Sequence, residues 1–322
     1  MENNNSPGYT VKSLMDRIKE RHEEEKLESR NSSISRDTEI LVLSGGAEKG
    51  FIELGALHYL TVNNYLDTIK TYIGTSIGSL ISYLLVLGYT PLEIFTHGCI
   101  RNLENELNPN LGLLRLPKFF GLCSFDKLTD ELELLTKAKL EFIPSLSELY
   151  EEYDKELVCV TYDLSNKKVV YLTRHNYPHL SCTDAIKMSC NIPFMFDKLV
   201  YDNNFYIDGA FGDNFPVIYA DNVYNLSLKN DEGYKNKKII GINVQSDFSI
   251  SKNEDFMNYI YSILSISIDE NRRISCNYHS ENVKIINIRT EDINQWNLKL
   301  SPNQKHEYFS LGFKYLENLC KI

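Results

Sequence analysis

No stretch of this sequence reaches about 18 consecutive apolar residues, the length a helix needs to cross a bilayer, so a membrane-spanning chain is not expected. The start, Met1-Glu2-Asn3-Asn4-Asn5, lacks the basic residues and the apolar segment of a standard secretory signal. Disulfide and zinc patterns are missing too. The seven cysteines, Cys99, Cys123, Cys159, Cys182, Cys190, Cys276 and Cys320, are odd in number and contain no C-x-x-C pair, which fits a reducing compartment. Positive charge is in deficit: 34 Lys and Arg against 44 Asp and Glu leave a net charge of -10, which argues against a nucleic-acid partner held by phosphate attraction. Internal repeats are absent, as is any Pro- or Gly-rich linker after residue 38. The expectation is a cytoplasmic protein, at most peripheral to a membrane, and 43% hydrophobic residues over 322 positions suffice for a sizeable core.

Residues 1–37 are polar and mixed in sign, with too few apolar residues at helical spacing to make a sticky face; they read as a flexible tail before a single domain over 38–322. From Thr38 the character changes. "TEILVLSGG" reads as a buried strand running into a glycine loop, and "KGFIELGALHYLTVNN" as a helix stopped at Asn63-Asn64. "IKTYIG" is a second strand, "SIGSLISYLLVLGY" an apolar helix ending at Gly88, and Thr90-Pro91 the cap and first residue of a third helix. Strand candidates continue with "LVCVTYDL", "KKVVYLT", "KKIIGINV" and "VKIINI". A short helix is expected from Thr183 to Cys190, and longer ones over "DFMNYIYSILSISIDENRRI" and the C-terminal segment capped by Ser301-Pro302. This alternation predicts an α/β fold with a mostly parallel central sheet covered by helices.

Three short stretches carry chemistry. Gly74-Thr75-Ser76-Ile77-Gly78 fits G-x-S-x-G, the turn that exposes a nucleophilic serine between a strand and a helix, although turn residues alone also produce such pentapeptides. The loop from Ser44 to Gly50, "SGGAEKG", precedes a helix whose first N–H groups and dipole favour an anion. It matches neither G-x-x-x-x-G-K-[ST] nor G-x-G-x-x-G, so an acyl-transfer oxyanion is a better ligand than a nucleotide phosphate. Downstream of Ser76, His175, His179, His279 and His306 all lie in polar settings that suit surface residues. A carboxylate stands out instead: "NNFYIDGAFGDNFPV" runs a strand into Asp208-Gly209, the placement that brings a carboxylate to the rim of a sheet. Asp213, with Asn214, reads as shaping the loop before Pro216.

Together these residues resemble the patatin-like phospholipases, lipid acyl hydrolases with a Ser-Asp dyad. The family signature is a G-G-G-x-[RK]-G loop, a G-x-S-x-G turn soon after it and a distant D-G-[AG]. Here they stand as Gly45-Gly46-Ala47-Glu48-Lys49-Gly50, Gly74 to Gly78, and Asp208-Gly209-Ala210, in that order. The resemblance extends over residues 38–320 and departs at the third glycine, Ala47, where a backbone N–H nonetheless remains. It implies a three-layer patatin-like fold, Ser76 as nucleophile and Asp208 as its base. It also implies N–H donors at Gly45, Gly46, Ala47 and Ile77 around the oxyanion, with Lys49, Gly50, Gly74, Gly78, Gly209 and Ala210 supporting the motifs. Neither metal nor cofactor is implied.

The implied substrate is a phospholipid or other glycerolipid at a membrane surface, and an activating protein partner is left open. "NPNLGLLRLPKFFGLCSF", Asn108 to Phe125, combines Leu113, Leu114, Phe119 and Phe120 with Arg115 and Lys118; it reads equally as an interfacial loop or as a buried connection between helices. Two other functions stay open: an α/β-hydrolase esterase with a Ser-Asp-His triad, and a non-catalytic lipid-binding protein that keeps the fold.

Overall fold

The computed structural model describes residues 34–100, 116–227, 235–247, 256–291 and 300–321. Most of the expected tail and residues 108–115 of the expected interfacial loop lie outside them. The packed body reaches back beyond the expected boundary at 38, because Ile34 is buried in the core and Asp37 pairs with Lys238 at 2.9 Å.

The first elements are β1 (Thr38–Leu43), α1 (Gly50–Val62), β2 (Thr71–Thr75), α2 (Ile77–Val86) and α3 (Pro91–Ile100). Next come β3 (Gly121–Cys123), α4 (Asp126–Lys137), α5 (Leu146–Tyr153), β4 (Glu156–Asp163), β5 (Lys168–Leu172) and α6 (Cys182–Ser189). The chain continues through β6 (Phe194–Phe196), β7 (Leu199–Tyr201), β8 (Asn204–Asp208) and α7 (Val217–Asp221). It closes with β9 (Lys238–Asp247), α8 (Phe256–Cys276), β10 (Val283–Glu291) and α9 (Pro302–Cys320).

β10, β9, β1, β2 and β4 form a parallel sheet in that order. β5 and β8 join β4 antiparallel, and β7 adds to β8. The run "ILVL" is apolar throughout because both faces are covered: Leu41 and Leu43 pack on one side with Tyr72, Leu157 and Ile240, whereas Ile40 and Val42 pack on the other with Ile73, Val158 and Ile239. Helices therefore occupy both faces of a mixed α/β sandwich, as expected.

Helix ends follow their caps. Ser301 accepts from the N–H of Gln304 at 3.3 Å while the Gln304 side chain accepts from the N–H of Ser301 at 2.9 Å, and Pro302 fills the first helical position. Thr90 and Glu93 make the same reciprocal pair before α3.

α9 returns to pack on α1 with almost no gap. A Cβ at Gly55 would lie 1.9 Å from the Phe309 carbonyl oxygen, and one at Gly312 would lie 1.9 Å from that of Ile52. These backbones touch only because both positions are glycine. Gly312→Val is therefore expected to lower stability by about 2 kcal/mol or more, read as a reduced urea midpoint.

Candidate active site

The pairing of β4 explains how Ser76 and Asp208, 132 residues apart, come together. Val160 pairs with Thr75 and with Tyr171, so β2 and β5 lie on opposite edges of β4. Thr161 pairs with Val170 and with Asp208, so β8 also lies opposite β5. Hence β2 and β8 share one edge and meet end to end, with Thr75 and Asp208 against consecutive β4 residues.

Ser76 follows β2 on a sharp turn with φ 54° and ψ -124°, a backbone state that costs a non-glycine residue on the order of 1–3 kcal/mol. Its neighbours permit the turn: a Cβ at Gly74 would fall 2.3 Å from the carbonyl carbon of Gly78, and one at Gly78 would fall 2.7 Å from the carbonyl oxygens of Leu43 and Ser44. The turn is also clamped. The Ser76 N–H donates to Ser189 Oγ at 2.9 Å, and Ser189 Oγ donates to the Val160 carbonyl at 2.5 Å.

Ser76 Oγ donates to Asp208 Oδ2 at 2.6 Å, and the other oxygen, Oδ1, accepts the Ala210 N–H at 2.8 Å. Gly209 and Ala210 begin the short turn that supplies this bond. Burial pushes the Asp208 carboxyl up to about 7, against the lowering effect of both hydrogen bonds. A buried carboxylate of that basicity is a competent proton acceptor near neutral pH. Among the described residues no histidine lies between the two side chains. His175 instead points at Glu156, 3.6 Å away, with most of its side chain exposed.

The glycine loop faces Ser76 across a cleft of about 30 Å³, lined by Gly45, Gly46, Ala47, Asp208, Asn214 and Ile268 among others. Gly45 does not keep its expected role as an oxyanion donor, because its N–H is bound to the Asn214 carbonyl at 3.0 Å. Gly46 and Ala47 remain in the loop beside Ser76, and Ile77, first residue of α2, has an N–H with no acceptor within its own helix. Asn214 fixes the loop further. Its Nδ2 donates to the Gly45 carbonyl at 3.3 Å, its N–H donates to Asn271 Oδ1 at 3.1 Å, and Asn271 Nδ2 donates to the Ala210 carbonyl at 2.9 Å. Serine and asparagine so far from the motifs give no local signal, which is why Ser189 and Asn271 escape a reading of the sequence.

Lys49 is buried at 2% exposure, and a Cβ on Gly46 would lie 3.2 Å from the Lys49 Cβ, so the stem of this side chain packs against the loop. Burial and the nearby Arg272 push its ammonium down to about 7, while Asp269 and Glu53 oppose the shift. Gly50 opens α1 against Ile77. Ala47 takes φ 45°, where glycine is relaxed and alanine is not. Ala47→Gly is expected to raise stability by up to about 1 kcal/mol and to leave the N–H in place, a change readable by thermal unfolding.

A second cavity of about 230 Å³ opens from Ser76 and Ile77 and is walled by Leu80, Leu84, Leu128, Leu132, Leu135 and Phe51. It is mainly apolar, with Glu48 and Lys305 also on its lining. Burial pushes the Glu48 carboxyl up to about 7, with Lys305 opposing. Among the described residues no group of three or more His, Cys, Asp and Glu side chains is set out to hold a metal ion. No helix among them is long and apolar enough to cross a membrane.

Known proteins resemble this chain in sequence and in fold. A family model described as patatin-like phospholipase matches residues 41–221. A probable lipid hydrolase of Invertebrate iridescent virus 6 is 35% identical over 195 residues, 59% of this chain and 65% of its own length, so the match spans less than two thirds of that relative. An uncharacterized protein of Acanthamoeba polyphaga mimivirus is 27% identical over 287 residues, 85% of this chain and 91% of its own. Among solved structures VipD from Legionella pneumophila matches with a TM-score of 0.54 at 16% identity, over 88% of this chain and 67% of that one, a likeness of fold. Because the family model covers more than half of the 322 residues and takes in the glycine loop, Ser76 and Asp208, the chain belongs to the patatin-like phospholipase family.

Proposed function

We propose that this chain is a lipid acyl hydrolase that cleaves fatty-acyl esters of phospholipids or related glycerolipids, with Ser76 as nucleophile, Asp208 as base and no metal in the reaction. One observation carries the reading: Ser76, hydrogen-bonded to Asp208 at 2.6 Å, lines a mainly apolar cavity of about 230 Å³. The family and the viral lipid hydrolase support it.

In this mechanism Ser76 Oγ attacks the ester carbonyl as Asp208 takes its proton. Charge develops on the carbonyl oxygen, where N–H groups of Gly46, Ala47 and Ile77 are the available donors, each worth roughly 3 kcal/mol in the transition state. The C–O bond then breaks, the proton passes to the departing alkoxide and the lyso product leaves. Water attacks the acyl-serine, Asp208 takes its proton, and collapse of the second tetrahedral intermediate returns that proton to Ser76. The acyl chain occupies the apolar cavity, where each buried methylene contributes about 0.8 kcal/mol to binding.

Fatty-acid release from mixed phospholipid vesicles in the presence of a chelator tests the reaction, and Leu128→Trp tests the cavity. Release by the wild type is expected to survive chelation. The variant is expected to lose about tenfold in long-chain release while turnover of a short-chain soluble ester stays within about twofold. Loss of all release on chelation, or an unchanged chain-length preference in the variant, would count against the reading. A folded wild type without any esterase activity favours the non-catalytic alternative.

A further inference from the structure

The sequence from Phe256 to Ile268, FMNYIYSILSISI, contains no charged residue, and charges begin only at Asp269. It forms the N-terminal part of α8, whose inner side is accounted for: Tyr261 and Leu264 pack on Ile192 and Met195, and Ile268 lines the cleft at Ser76. The outer side carries large apolar residues as well, beside the exposed Ser267. Tyr259, Ile263 and Ile266, spaced i, i+4 and i+7, are 59%, 47% and 68% exposed. A helix bordering solvent ordinarily turns charged or polar residues outward, and a cluster of large apolar side chains on its exposed side points to a second apolar environment.

A second exposed group adjoins it. Ile192, Met195 and Phe196 line the acyl cavity, whereas Phe194, on the same short segment, is exposed with φ 66°. Strand β6 holds Phe194 opposite Gly121, next to Phe120, which is likewise exposed with φ 63°. The Lys198 N–H donates to the Phe119 carbonyl at 2.9 Å. Two of these rings carry a cation: Lys118 lies 5.0 Å from the centre of Phe119 and Lys198 lies 4.7 Å from that of Phe120. Aromatic bodies with ammonium groups beside them suit the boundary of a bilayer, where rings meet acyl chains and cations meet phosphates.

We propose that the outer face of α8 and the rim of Phe119, Phe120 and Phe194 together form the surface on which the protein seats against a lipid bilayer. This rests on the lipid hydrolase reading. Two features favour lipid over another protein. The patch is continuous with the substrate cavity, since Ile192 lines that cavity and packs against α8, so a docked bilayer delivers an acyl chain without exposing it to water. Lys118 and Lys198 sit at the aromatic rim, where a phosphate layer would meet them.

The test compares wild type with Ile263→Asp/Ile266→Asp and, separately, Phe120→Ser. The readouts are sedimentation with phosphatidylcholine vesicles containing a minor fraction of phosphatidylserine, turnover of a soluble short-chain ester, and mass in solution by light scattering. Vesicle affinity is expected to fall about tenfold or more in the double variant and several-fold in Phe120→Ser, with soluble-ester turnover within about twofold of wild type. Unchanged vesicle binding in both variants overturns the proposal. A wild-type dimer that the double variant converts to monomer, with vesicle binding unaltered, also overturns it and gives the face to a second copy of the chain. Wild type that binds vesicles through this surface but turns over no ester leaves the surface standing and removes the hydrolase reading instead.

Discussion

Ser76→Ala is expected to abolish ester hydrolysis, lowering kcat by about 10⁴-fold or more for soluble and vesicle substrates alike. The size follows from the geometry. Ser76 Oγ is the side-chain atom that meets Asp208, and its turn is held open at φ 54°, a strain that has a use only if the hydroxyl must stand in the cleft. Alanine keeps the Cβ and the Ser76 N–H bond to Ser189, so the elbow survives and residual rate reflects the oxyanion donors alone. The measurement is single-turnover release of a chromogenic ester, with circular dichroism to show that the variant is folded. Retention of more than about a tenth of the wild-type rate would remove Ser76 as nucleophile.

The parts of the site read most directly from the sequence are those whose constraints are local. Gly74 and Gly78 are needed within two residues of Ser76, and the glycine loop is needed within one turn of α1, so each leaves a compact signature. The long strands are legible for a similar reason: burial on both faces forces apolar runs at residues 40–43 in β1, 157–160 in β4 and 239–242 in β9. What binds these pieces together is not local. Asp208 meets Ser76 through shared pairing with β4, which no spacing in the sequence announces, and only the family resemblance joined them beforehand. The loss of Gly45 from the oxyanion donors depends on a contact with Asn214, 169 positions away. The strands β3, β6 and β7 have three residues each, too few for a period of two to be read. The same shortness hid the outward turn of Phe194, which becomes meaningful only once Gly121 is seen beside it.

Asp208→Asn tests the base assigned to the dyad, and replacing His175, His179, His279 and His306 together, which a dyad enzyme should survive, separates the dyad from the triad alternative. Asp208→Asn is expected to lower kcat/KM by about 10³-fold or more, because the amide offers no basic oxygen for the Ser76 proton while matching the carboxylate in size. The wild-type rate carries a second signature. With the Asp208 carboxyl pushed up to about 7 by burial, the active ionised form increases as pH rises, so kcat/KM climbs through that region and levels above it. Stability runs the other way. The folded protein holds this proton more tightly than the unfolded chain, whose aspartate titrates near its ordinary value of 3.8, so this residue's contribution to stability falls between about pH 4 and pH 7 and is flat beyond. Asparagine cannot ionise and removes that fall. The variant is therefore expected to lose activity while unfolding no sooner than wild type at pH 8, a combination that damage to the fold does not produce. Activity maintained in Asp208→Asn, with its rise still centred near pH 7, would assign the base to another residue.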